Sequence, residues 1–420
     1  MPGLTVLTYH SLYDGRGFSS VRRSWGRYRA ARELFGALGL FEVVEVVQPP
    51  PARPAELLAV HPAPYVEFVR RRDAEGTGFL DRRDTPAWRG VFDRALAAVG
   101  GTLEGARLIG SGRASHVFNP GGGLHHAHRE RTAGFCIFND IALAVHCLQQ
   151  EFGFSRVAVV DVDGHHGDGT QELLYDQPVL KLSLHQYDGR FFPGTGAVDE
   201  VGWGHGYGYS VNLGLPRHTG DAHYRRAFRA VVPDALRAYR PQVIVLNFGV
   251  DGHFGDPLVR LSLSTSTYRE VAATIHQLAH ELADGRLLIC GSGGYHPQHA
   301  ARCWATLLAT ITGHLPDGVP PPSLHPIPGR PRRGLDPGGG PDGRSPESAV
   351  PSPESTANSG PGTRDPGLGT PRAARLVWPG PFAVLEDPPC AVPAPAPTVG
   401  PAVDEAIEQV TRRVLPLVGR

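Results

Sequence analysis

The sequence predicts an α/β fold built on a mostly parallel sheet, and three observations carry that expectation. Apolar, β-branched runs of strand length alternate with stretches of helical periodicity. The runs are apolar throughout, as strands buried on both faces are. Several of them end abruptly in Asp, His and Gly, and open parallel sheets gather ligands at the carboxyl ends of their strands.

In chain order, residues 4–9 (LTVLTY) read as a first buried strand. A helix follows at about 27–39, a strand at 41–47 (FEVVEVV) and a second helix at 55–71. Further strands are expected at 157–160, 179–184, 243–248 and 287–290, with helices at 141–151, 221–239 and 267–283. Residues 1–315 make up the main domain. From Pro316 the composition turns to Pro, Gly, Ser, Arg and Asp, which cannot bury enough apolar surface to offset its ordering entropy. Residues 316–400 therefore read as a Pro/Gly-rich, largely disordered linker, with an apolar island at 373–387 able to dock on the core. Residues 401–420 read as a C-terminal amphipathic helix. Pro401 suits its first turn, and Val403, Ile407, Val410, Val414 and Leu417 form an apolar stripe. That stripe needs a partner surface, either its own domain or a second copy in a homo-oligomer.

Lys plus Arg equals Asp plus Glu at 41 each, so nothing electrostatic favours nucleic acid as a partner. Lys181 is the only lysine. The five cysteines (Cys136, Cys147, Cys290, Cys303, Cys390) are odd in number and form no CxxC pair, which suits a reducing cytoplasm. The start of the chain lacks the pattern of a signal peptide, and no membrane span is expected.

The chemistry concentrates in four segments. In Val159-Val160-Asp161-Val162-Asp163-Gly164-His165-His166-Gly167-Asp168 an apolar strand runs into carboxylates and imidazoles. Unpaired carboxylates at the end of a buried strand are costly, and a metal or His partners remove the cost. Alternate residues share a face, so Asp161, Asp163 and His165 can point into one crevice as zinc-type ligands. A solvated polar loop is the plainer alternative, and the density of Asp and His argues against it. Residues 243–248 likewise lead into Gly249-Val250-Asp251, which makes Asp251 a third ligand candidate. Gly121-Gly122-Gly123-Leu124-His125-His126 offers two adjacent imidazoles for acid–base work, although an isolated His pair more often lies in a surface loop. Gly291-Ser292-Gly293-Gly294-Tyr295 places a phenol at a strand end, where it can donate to a developing oxyanion.

Together GGLHHA, GFCIFND, VDVDGHHGDGT, SLH, FFPGTG, GVDGHFGDP and GSGGY resemble the histone deacetylase superfamily, in its expected order and over roughly residues 5–315. The likeness is strongest to bacterial acetoin-utilisation-type and class II-like deacetylases. It implies the arginase–deacetylase fold, a single domain with an eight-stranded parallel sheet between helices, and a deacetylase catalytic domain at 1–315. It also implies Asp163, His165 and Asp251 as zinc ligands, with ferrous iron or cobalt as substitutes. By the same resemblance His126 with Asp168 is the general base, His125 with Asp161 its more often protonated partner, and Tyr295 the residue that polarises the carbonyl. Gly134, Phe135 and Phe192 border the substrate channel. Asp161, Asp163, His165, Ser183 and Leu184 hold a monovalent cation, usually potassium. In the loop that grips peptide substrates in some relatives, Asp81 and Asp84 are the candidates.

The implied reaction is zinc-dependent hydrolysis of N-acyl amides, with acetyl-lysine or a small acetylated amine as substrate. Polyamine-selective relatives carry Glu after the Asp-Pro where Leu258 stands, which weighs against polyamines. A catalytically silent acyl-lysine-binding module is the alternative from another class, and a two-manganese arginase-type enzyme lacks its ligands here. His10, His61, His116, His185 and His253 are assigned to packing or support rather than to ligation.

Overall fold

The computed structural model describes residues 3–82, 84–314, 387 and 392–418. Of the segment expected to dock at 373–387, only Asp387 lies among them, and most of the expected linker lies outside. Eight strands are described: β1 Thr5–Thr8, β2 Glu45–Val47, β3 His116–Asn119, β4 Val157–Asp161, β5 Leu180–Gln186, β6 Ser210–Leu215, β7 Val243–Phe248 and β8 Leu287–Gly291. They form one sheet of order β2-β1-β3-β8-β7-β4-β5-β6. Every pairing is parallel. β3, β4, β5, β7 and β8 are buried along their whole length, which is why those the sequence revealed read as unbroken apolar runs.

Helices cover the sheet in two groups. Val91–Gly110 packs beside Asp140–Gln150, while Asp221–Tyr239, Thr265–Leu282, Pro297–Thr312 and Arg27–Ala37 run side by side in sequence of contact. The eight-stranded parallel sheet with flanking helices is the architecture that the resemblance implied.

Local departures have local causes. The strand expected at 41–47 is shorter, because Leu40–Glu42 form a 3₁₀ turn and β2 keeps three residues at an exposed sheet edge. The helix expected at 55–71 is split into Pro54–Leu57 and Ala63–Glu75. Pro62, extended at the break, holds the chain out of the helical region there. β3 (HVFN) and β6 (SVNLGL) were not expected, since polar residues interrupt both short runs.

The last helix, Val399–Gln409, lies against Asp221–Tyr239 and β6 and continues into a π turn at Val410–Val414. Val403, Val410 and Val414 are buried, so the apolar stripe is covered by this same chain. Cys136, Cys147, Cys290 and Cys303 are buried free thiols. Among the described residues no helix is long and apolar enough to cross a membrane.

Asp387 acts as a tie between three elements. One carboxylate oxygen accepts from His253 Nε2 at 2.9 Å, Thr265 N at 2.7 Å and Thr265 Oγ1 at 2.8 Å. The other lies 2.8 Å from Arg302, and both side chains of this ion pair are shut off from solvent. The negative charge also sits at the start of the Thr265–Leu282 helix, where the helix dipole favours it. Lys181 on β5 is equally enclosed and donates to the carbonyls of Leu174 and Val179.

Asp387→Ala should destabilise the protein by ~3–5 kcal/mol, because it removes the carboxylate paired with the buried Arg302 charge. Denaturant unfolding measures this, and an unchanged midpoint would contradict the tie. Burial lowers the Lys181 pKa from 10.5 to about 7. Between those values the unfolded chain binds more protons than the folded one, so stability rises with pH through that window and is lost as pH falls towards 7. Lys181→Met should flatten this rise when melting temperature is compared at pH 7 and pH 10.

Candidate metal centre and active-site crevice

The crevice lies beyond the carboxyl ends of β3, β8, β7 and β4, where the sheet order brings together four loops distant in sequence. Asp161 is the last residue of β4, and Asp163 and His165 follow in the loop. Asp251 follows β7, and Tyr295 follows β8. The His125–His126 pair comes from the glycine-rich turn after β3.

Each carboxylate has its orientation fixed by a backbone amide. Asp163 Oδ1 accepts from His165 N at 2.9 Å, and its Oδ2 accepts from Gly293 N at 2.8 Å. Asp251 Oδ1 accepts from Gly164 N at 2.7 Å. Asp251 Oδ2 and Asp163 Oδ1 then face His165 Nδ1 at 2.8 and 3.2 Å. The three side chains are buried, and their ligand atoms lie within 4.8 Å of one another. Two carboxylate oxygens and one imidazole nitrogen, converging from rigid strand ends, fit the donor set of a catalytic zinc-type site. Gly293 is required by this closeness: a Cβ there would strike the carboxylates of Asp251 and Asp163.

The adjacent histidines differ in their partners. His125 Nδ1 donates to Asp161 Oδ2 at 2.7 Å, and His126 Nδ1 donates to Asp168 Oδ1 at 2.7 Å. In each ring Nε2 is left as the nitrogen that can meet a ligand. Burial pulls His125 down, but the charges of Asp161 and Asp163 outweigh it and raise its pKa to about 9. Burial and the neighbouring His125 lower His126 to about 4, with Asp168 offsetting only part of the effect. Burial would raise Asp163, yet His125 and His165 hold it well below the usual carboxylate range. Burial raises Asp251 to about 6, helped by the charge of Asp163.

Aromatic rings wall the approach. Phe135 meets the Tyr295 ring edge-on at 5.6 Å, Phe192 meets the His126 ring at 4.9 Å, and Phe191 stacks on His165 at 5.1 Å. Together with Gly134 and Leu258 they line a pocket of about 260 Å³ that also borders Asp84. Asp81 does not reach it, because its oxygens accept from the amides of Asp84 and Thr85 and from the Thr85 hydroxyl. Deeper in, a cavity of about 40 Å³ extends past Tyr295 towards Arg27 and Trp25. Asp161 and Ser183 are paired across β4 and β5, with Leu184 next along β5. The Ser183 hydroxyl lies 2.9 Å from His185 Nδ1.

Several residues at the site carried no assignment from sequence. Asn247 bridges the strands, its amide donating to Asp161 Oδ1 at 3.0 Å. An amide inside the apolar run VIVLNF was the available signal. Asp140 holds the His-bearing turn by accepting from Gly123 N and Leu124 N at 2.9 and 2.7 Å. His128 shares Asp168 with His126, at 3.1 Å, and also meets Glu172. Asp256 accepts from Tyr295 N at 2.7 Å and from Leu258 N at 2.8 Å. Arg27 donates to Gly294 O at 2.9 Å. Only the fold brings Arg27 and His128 to the crevice.

A parallel sheet whose strand ends converge on two aspartates, a histidine and a His pair has the arrangement expected of a hydrolase that could hold a metal, and its relatives place it in the deacetylase class. The model of the histone deacetylase domain matches residues 22–311. The acetoin utilization protein AcuC of Bacillus subtilis is 38% identical over 295 residues, covering 67% of this chain and 76% of that protein. A probable deacetylase of Archaeoglobus fulgidus is 38% identical over 268 residues, covering 62% and 73%. AcuC of Staphylococcus aureus is 33% identical over 326 residues, covering 74% and 82%. The chain belongs to the histone deacetylase family, in its acetoin-utilisation branch.

Asp256→Ala removes the group that fixes the Tyr295 backbone. Misplacing a positioned group at a site can cost on the order of 10²-fold, so hydrolysis should slow by about that factor with metal content unchanged. Steady-state rates on an acetyl-lysine peptide, beside metal analysis, measure both. A rate within about twofold of wild type would contradict the role.

Proposed function

We propose that the protein is a zinc-dependent amidohydrolase that removes acetyl groups from acetyl-lysine or a related acetylated amine. The observation that carries this reading is the convergence of three ligand atoms beside two adjacent histidines, each held by its own carboxylate. Asp163, His165 and Asp251 would hold the zinc, with ferrous iron or cobalt as substitutes. When bound, that ion supplies Lewis acidity and lowers the pKa of water to roughly 7.

The chain's own groups do the rest. His126, neutral at pH 7, takes the proton of the attacking water at Nε2 and returns it to the leaving amine. His125 stays protonated against Asp161 and offers positive charge to the developing oxyanion. The Tyr295 hydroxyl donates a hydrogen bond to that same oxygen. Phe135 and Phe192 flank the methylene stem of the substrate, and the Gly134 carbonyl lies beside it. Asp84, at the mouth, can accept a backbone amide of a peptide. Water and amide yield carboxylate and free amine.

The small inner cavity favours acetyl over long acyl groups, since 40 Å³ holds only a few water-sized groups. Leu258 gives the rim no charge to attract a polyamine. A potassium ion beside the zinc is assigned to Asp161, Asp163, His165, Ser183 and Leu184, partly through backbone oxygens. The absence of a missing catalytic group weighs against a silent binding module.

The test runs wild type, Tyr295→Phe and a chelator-treated sample on acyl-lysine peptides and acetylated polyamines. Tyr295→Phe should lose roughly 10²–10³ in kcat. Chelation should abolish activity, and zinc should restore it. Silence across the panel with zinc bound in the crevice would overturn the acetyl-lysine reading.

A further inference from the structure

At the opposite end of the sheet from the crevice, three histidines meet. His116 is the first residue of β3, and His276 and His280 lie in the last turns of the Thr265–Leu282 helix. Residues four apart share a helix face. The Nε2 atoms of His276 and His280 approach to 3.1 Å. Both rings pack edge-on against His116, at 4.7 and 5.1 Å between centroids. The ligand atoms of all three lie within 4.8 Å of one another.

His116 supplies the independent observation. It is 2% exposed, and its Nε2 is buried with no hydrogen-bond partner. Its Nδ1 lies 3.3 Å from Thr5 Oγ1. If Nδ1–H donates to that hydroxyl, Nε2 carries a lone pair aimed at the other two rings. An outer hydrogen bond of this kind fixes ring and tautomer in metal-binding histidines. A buried nitrogen without a partner costs stability, and a ligand at this point would recover it.

We propose that His116, His276 and His280 form a second metal site, taking a borderline transition-metal dication such as Zn²⁺, Co²⁺, Ni²⁺ or Cu²⁺. Three imidazoles without a carboxylate suit these ions and exclude Mg²⁺ and Ca²⁺, which take oxygen ligands. A tetrahedral ion with bonds of ~2.0–2.1 Å needs nitrogens about 3.3 Å apart. One pair is already near that separation, and His280 on the surface can move to close the rest. The fourth position opens towards solvent through His280. The bound ion would clamp β3 to the end of the helix, far from the reacting centre. His116, expected from sequence to be a packing residue, thereby becomes a ligand.

The test uses untagged full-length protein stripped with chelator and dialysed against Zn²⁺. Wild type is compared with the double variant His276→Ala/His280→Ala, which spares the buried ring, and with Asp251→Ala. Wild type should bind two equivalents and each variant one. The histidine variant should keep its deacetylase activity and lose the Zn²⁺-dependent rise in melting temperature that the second site gives. Cu²⁺-loaded Asp251→Ala should show nitrogen couplings in its electron paramagnetic resonance spectrum. Equal stoichiometry in wild type and the histidine variant would overturn the second site, whatever happens in the crevice. A crevice that fails to bind would instead appear as wild type and Asp251→Ala holding the same single equivalent.

Discussion

Three aspartates buried at the ends of parallel strands constrain everything around them. Asp161, Asp163 and Asp251 are nearly or fully removed from solvent, and desolvated carboxylates are tolerable only when hydrogen bonds and positive charge surround them. The fold supplies the hydrogen bonds from backbone amides and one side-chain amide. Gly164 and Gly293 donate to the carboxylates of Asp251 and Asp163, and Asn247 reaches across from β7 to Asp161. The two backbone donors have to arrive with no side chain in the way, which calls for glycine at both positions. The positive charge comes from His125 and, on the proposed reading, from a dication held by a neutral His165. The loops are thus shaped by electrostatic necessity before any substrate is considered.

The same constraint separates two chemically identical neighbours. His125 and His126 sit 4.0 Å apart between ring centroids, yet their proton affinities move in opposite directions. His125 faces a carboxylate in a cluster rich in negative charge. His126 faces Asp168, whose charge is already shared with His128, and feels the positive charge of His125 as well. Surroundings that drive two such groups apart let one site hold a neutral and a charged imidazole side by side.

Much of this was legible in the sequence, for a physical reason. Buried parallel strands leave unbroken apolar runs, and β4, β5, β7 and β8 could be placed from them. The ligand candidates stood out because Asp and His follow such runs directly. β3 and β6 escaped notice because His116, Asn119, Ser210 and Asn212 interrupt short strands with polar groups whose partners are remote. The break at Pro62 and the shortened β2 are local effects of proline and of an edge position. Residues that work through distant contacts carry no local signature. Arg27 reaches Gly294 across most of the chain, and the meeting of His116 with His276 and His280 exists only once the sheet is assembled.

Lys181 has a bearing on the enzyme's own chemical state. It is the chain's only lysine, and its amine is enclosed by the carbonyls of Leu174 and Val179. All the remaining basic side chains that offer a fixed positive charge are arginines, which acyl donors do not readily modify. The protein therefore presents no lysine on its surface for acylation. A pool of reactive acyl donors that marks the lysines of surrounding proteins finds no exposed lysine here, so this protein offers its neighbours no acyl-lysine to compete for their crevices.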